Sequence, residues 1–165
     1  MALTADILAT YRRPGAVAAE KVATRREDLA LAYLMLGCGL VFVGQWPKLQ
    51  RDAYLGDRDL EPLIGAALFA WVFVAPVLLY LLAFAVRLAS LALRRPVDGF
   101  GSRMALFWAL VAASPLWLLN GLTAGMIGPG PALALVGAAA AGAFLWFWAA
   151  GLRAARAVEA AGEAA

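Results

Sequence analysis

The chain has no histidine and one cysteine among its 165 residues. Without histidine there is no imidazole to serve as a haem ligand, a zinc ligand or a general base. One cysteine, Cys38, makes neither a cysteine-rich metal site nor a disulfide within the chain. Charge is scarce as well. Charged residues make up 15% of the chain, against about 25% in ordinary soluble domains. No aspartate or glutamate falls inside the long apolar runs, so the acidic relay that proton pumps and many ion-coupled transporters keep at membrane depth is missing. No phosphate-binding or dinucleotide-binding glycine pattern follows a candidate strand, and the glycines are spread through helical stretches. The expectation is no catalytic residue, no cofactor and no metal; the chain does not read as an enzyme.

What the chain does have is apolar length. Its hydrophobic fraction is 64%, gathered into runs near residues 29–46, 62–86, 104–127 and 132–152. Each is about as long as an α-helix must be to cross a hydrocarbon core, roughly 20 residues at about 1.5 Å per residue. Charges sit in the gaps and tails, apart from Arg87 at the border of the second run. A soluble helical protein would instead carry a polar face along each helix. The expected fold is therefore all-α, a polytopic transmembrane bundle of four spans. Residues 1–28 form a cytoplasmic or interfacial amphipathic segment, 29–153 the transmembrane domain and 154–165 a cytoplasmic tail.

Basic residues set the topology. The segment 1–28, the gap 87–103 and the C-terminal tail together hold eleven of the fourteen lysines and arginines; the gap 47–61 holds three. Four spans place the first three regions on one side. Positive residues stay cytoplasmic during insertion, so both termini are expected there, in a bacterial inner membrane. The first run starts too late and runs too long for a removable signal peptide.

Within residues 1–28, Leu3, Ile7, Leu8 and Tyr11 recur at helical spacing, and Pro14 ends that helix. A second short helix runs from Gly15 to Arg26, with Val17 and Val22 on one side and Glu20 and Lys21 on the other. Both are expected to lie on the membrane face, with Arg12 and Arg13 toward anionic headgroups. Arg94 and Arg95, in the second gap, are further headgroup candidates. The first span ends at Trp46 and Pro47. The next gap, with three basic and four acidic residues, offers nothing to a nucleic acid. Pro76 and Pro115 fall mid-span, as static kinks or as hinges. Asn120 is the most polar group at depth, and it either bonds to another helix or lines a polar path. Gly121 and Gly125 form a small-residue pair that suits packing within the bundle or against a second copy. The run Gly128-Pro129-Gly130-Pro131 turns the chain back.

The stretch Ile7-Leu8-Ala9-Thr10-Tyr11-Arg12-Arg13-Pro14, then Arg26-Glu27-Asp28 and Ala75-Pro76, resembles a bacterial member of the Yip family, the Ypt-interacting-protein-like multi-pass membrane proteins. The stretch from Ala105-Leu106-Phe107-Trp108-Ala109 through Ser114-Pro115 to Gly128-Pro129-Gly130-Pro131 carries most of that likeness. The resemblance implies a helical membrane bundle with a cytoplasmic N-terminus. The family usually has five segments, where four are counted here. Small-GTPase binding, known for the eukaryotic relatives, is not carried over, because their long N-terminal cytoplasmic region is missing. The leading expectation is a non-catalytic scaffold or accessory component that packs against membrane lipids, other integral membrane proteins or itself, and not against nucleic acid. The alternative is a small transporter or channel subunit with its pathway at an oligomer interface.

Overall fold

The computed structural model describes residues 3–93 and 96–163, with only the backbone of Glu163. The described residues are helical, with short connections. Two short helices, α1 (Leu3–Arg12) and α2 (Pro14–Ala23), precede the long α3 (Glu27–Gly56). Next come α4 (Leu60–Phe69), a π-helical turn (Ala70–Val74) and α5 (Ala75–Ala92), which run on as one rod from Leu60 to Ala92. Then come α6 (Gly99–Ala112), α7 (Ser114–Met126) and α8 (Pro131–Glu163). Three helical stretches are long and apolar enough to cross a membrane: α3, the Leu60–Ala92 rod and α8. The α6–α7 pair makes a fourth crossing if the two count as one span. The chain is a membrane-embedded all-α bundle.

Several boundaries differ from the expected ones, each for a local reason. The helix of the first span does not stop at Trp46. α3 continues through Pro47 to Gly56, about 45 Å in all. A proline inside a helix loses one backbone bond, but in a bundle its neighbours can hold the segment in place. Here α7 lies directly on Pro47, and Arg51 Nη1 donates to the Gly125 carbonyl at 3.2 Å. The helix ends only at Asp57, whose backbone is left-handed (φ 47°), a conformation short polar residues tolerate. The charged stretch 48–61 is therefore helical up to Gly56, with only a few residues between α3 and α4. The expected span 104–127 is broken. α6 begins at Gly99, inside the expected loop, and meets α7 at a 47° bend around Ala113, just before Pro115. The tail continues the last helix: α8 carries on to Glu163 and buries Ala154 and Ala155.

α6 is the axis of the bundle. Every residue from Phe100 to Ala112 is buried except Arg103. α2, α3, α5 and α8 surround it. Close approaches let them pack: a Cβ on Gly151 of α8 would meet Ala105 at 3.0 Å, and one on Gly37 of α3 would meet Leu110 at 2.8 Å. Ser102 Oγ donates to the Ala83 carbonyl at 2.8 Å and ties α6 to α5.

Charged groups gather at one end. Asp98 caps α6 by accepting from the Gly101 amide at 2.5 Å, and it takes an ion pair from Arg25. Its own amide donates to Glu159 Oε1 at 2.9 Å, and Arg103 pairs with Glu27 at 2.5 Å. The α2–α3 link, the start of α6 and the far part of α8 therefore share one end of the bundle. That is the grouping an even number of crossings requires.

Candidate functional site

The two expected kink prolines act differently. Upstream of Pro76 the helix widens by one residue, and the Ala75 amide bonds back to the Ala70 carbonyl, five residues away. A π turn of this kind absorbs the missing proline donor without breaking the rod. At Pro115 no such widening occurs. The chain breaks at Ala113 and restarts with Pro115 in the first turn of α7, where a missing N–H is harmless.

The break creates room. A cavity of about 240 Å³ lies between α3, the π turn, the end of α6 and α7, lined by Gly44, Gln45, Lys48, Trp71, Trp117 and Asn120 among others. Two polar atoms of its lining residues are buried and unpartnered among the described residues, Asn120 Oδ1 and Trp117 Nε1. Such groups destabilise a fold by about 1–3 kcal/mol each when left unpaired. The amide oxygen lies on the α8 side of Asn120, 3.2 Å from where a Cβ on Gly137 would stand. The charged member, Lys48, is engaged by Asp52 at 2.5 Å. The cavity is thus lined mainly by apolar groups, with Gln45, Lys48 and Asn120 as its polar residues and the Asn120 oxygen turned toward α8. Among the described residues, no three histidine, cysteine, aspartate or glutamate side chains gather as a metal site needs.

Gly121 and Gly125 form the crossing of α7 with α3 inside the chain. A Cβ on Gly121 would stand 1.6 Å from the Gly44 carbonyl oxygen, and one on Gly125 would stand 2.4 Å from Pro47 Cβ. Backbone therefore touches backbone, and the pair is consumed within the bundle. Asn120 and Gly121 share the cavity wall, whereas Pro76, Pro115 and Gly125 do not line it.

The N-terminal helices fold as a hairpin against α6 and α8. Lys21, expected on the side opposite Val17 and Val22, is buried together with them and Ala18. It pairs with the buried Asp6 at 2.5 Å, and its ammonium stands 5.1 Å from the Trp108 ring centre. Burial pushes the Lys21 ammonium down, but the Asp6 hydrogen bond and nearby negative charge outweigh this and hold its pKa above the ordinary value. The Trp108 indole donates to Thr10 Oγ1 at 3.3 Å, Tyr33 meets Trp108 edge-on and Tyr11 meets Phe147 in the same way. The hairpin thus docks at the level of Tyr33 and Phe147, about 6–8 Å inside the apolar runs at the usual helical rise. Arg12 and Arg13 stay exposed at its tip, while Arg94 and Arg95 lie outside the described residues. Asp6, Thr10 and Lys21 escaped the sequence reading; the only signal for them was a carboxylate and an ammonium on two amphipathic helices joined at a proline.

In comparisons with known proteins, no family model matches the chain and no curated protein or solved structure is similar to it.

Proposed function

We propose that the protein is a non-catalytic scaffold or accessory component of a bacterial inner membrane, with both termini cytoplasmic. One observation carries this reading. From Leu60 to Val74 no residue is buried, and Phe69 and Phe73 stack on each other on an exposed face of the rod. Meanwhile the bundle's polar and small residues serve its own cohesion: the Gly121–Gly44 crossing, the Asp6–Lys21 pair and the Asp98 cluster. The surface left for others is apolar and aromatic, suited to lipid or to another membrane helix. The excess of basic residues on the regions assigned to the cytoplasm supports the orientation. The resemblance to the Yip family supports the same class and brings no GTPase partner with it. Native mass spectrometry after gentle extraction tests the proposal. A scaffold retains a protein or lipid partner and loses part of it on Phe69→Ala with Phe73→Ala; a bare monomer in both forms would end this reading.

A second reading, a small transporter or channel subunit, rests on the cavity beside Asn120. Solute flux in liposomes that drops on Asn120→Leu would favour it, and unchanged flux would remove it.

A further inference from the structure

A second hollow, of about 340 Å³, lies between α5 and the first turn of α6. It is lined at one end by Arg87, Gly99 and Arg103, and along its length by Tyr80, Leu81 and Phe84. We propose that it binds the phosphate diester of one anionic phospholipid, with the acyl chains along α5. This rests on the membrane reading and names a ligand for it.

Guanidinium nitrogens without partners carry the argument. Arg103 gives one nitrogen to Glu27, and its Nε is buried without a partner among the described residues. Its guanidinium stands 6.0 Å from the Tyr80 ring centre, which fixes it beside the hollow. The other carboxylates at this end are engaged, Asp98 by Arg25 and the Gly101 amide and Glu159 by the Asp98 amide. Arg87 is exposed and makes no ion pair among the described residues. It lies along the bare backbone of Gly99, its Nη1 3.4 Å from where a Cβ would be. Arg103 has one carboxylate partner, Glu27, and Arg87 has none among the described residues, next to a helix N-terminus that adds its own partial charge. Planar guanidinium forks suit phosphate oxygens. The opposite wall is hydrocarbon: Leu81 and Phe84 are each more than half exposed on the lipid side of α5. A free phosphate ion would use the arginines and leave that wall unused; a phospholipid uses both. The hollow also sits at the end of the bundle holding the Asp98 cluster, where spans finish and headgroups begin.

The test uses the full chain in nanodiscs of equimolar phosphatidylcholine and phosphatidylglycerol, released into native mass spectrometry. The wild type should retain one phosphatidylglycerol in preference to phosphatidylcholine. Arg87→Gln should lower that retention about five-fold, the factor corresponding to about 1 kcal/mol per arginine near the surface, with thermal stability unchanged. Arg87→Lys should keep most of it. Equal retention by Arg87→Gln, or no preference in the wild type, overturns the proposal. Displacement of the lipid by inorganic phosphate overturns the lipid assignment in favour of the free ion. Alkaline carbonate extraction checks the membrane reading separately: the protein should stay in the pellet with or without the substitution, and release would overturn both.

Discussion

α6 and the Leu60–Ala92 rod are both apolar along nearly their whole length, yet they hold opposite places. In α6 twelve of fourteen residues are buried. In the rod only Ala83 and Ser90 are. In water this contrast would be written into the sequence, since an outer helix needs a polar face. In lipid the outside is as apolar as the inside, so hydrophobicity stops reporting position. What separates the two helices is the neighbours they meet. α6 offers Gly101, Ser102, Ala105 and Ala109 to closely packed neighbours, while the rod carries Phe69, Phe73, Leu78 and Phe84 into the open.

Paired substitutions should break or sharpen this contrast. The largest effect is expected from Trp108→Ala, which removes a buried indole from between Thr10, Lys21 and Tyr33; the loss should be about 3–5 kcal/mol. Phe73→Ala on the rod should stay below about 1 kcal/mol. Unfolding in mixed detergent followed by circular dichroism reads both, and equal losses would erase the distinction. Next comes Gly121→Ala, which drives a methyl into the Gly44 carbonyl and should destabilise by about 1–3 kcal/mol. Gly65→Ala meets open space and should be neutral or stabilising by up to about 1 kcal/mol. Asp6→Asn should release the hairpin, seen as faster amide exchange in residues 3–23 with α6 still protected. The effect should fall short of the roughly 3–5 kcal/mol of a fully buried pair, because the freed Lys21 can reach water. Among the substitutions inside the bundle the smallest loss is expected from Ser102→Ala, about 1 kcal/mol for the lost bond to Ala83.

Much of the fold was legible in residue order. The four apolar runs lie within α3, the Leu60–Ala92 rod, α6–α7 and α8. The turn before α8 was also legible, with Gly128 at φ +88°. Pro14 did end α1, and Pro115 did mark the break. Pro47 misled, because what a proline does in a helix depends on what packs against it, here the bare backbone of Gly125. Asn120 was legible as a polar group at depth; the cavity beside it was not. That space exists only because α6 and α7 bend apart over Gly44 and Trp71, residues remote in sequence. Lys21 was misread for a related reason. Its partner Asp6 sits on another helix, and only the hairpin brings the two charges within reach.

Residue order alone determined the medium and the secondary structure, because unpaired peptide groups are intolerable in hydrocarbon and long uncharged runs must bond internally as helices. Tertiary structure alone decided which helix became the axis, which glycines became crossings and which arginines were left unpaired. Those outcomes depend on close approach between distant segments, and an apolar solvent leaves no trace of such contacts in the hydropathy of either partner.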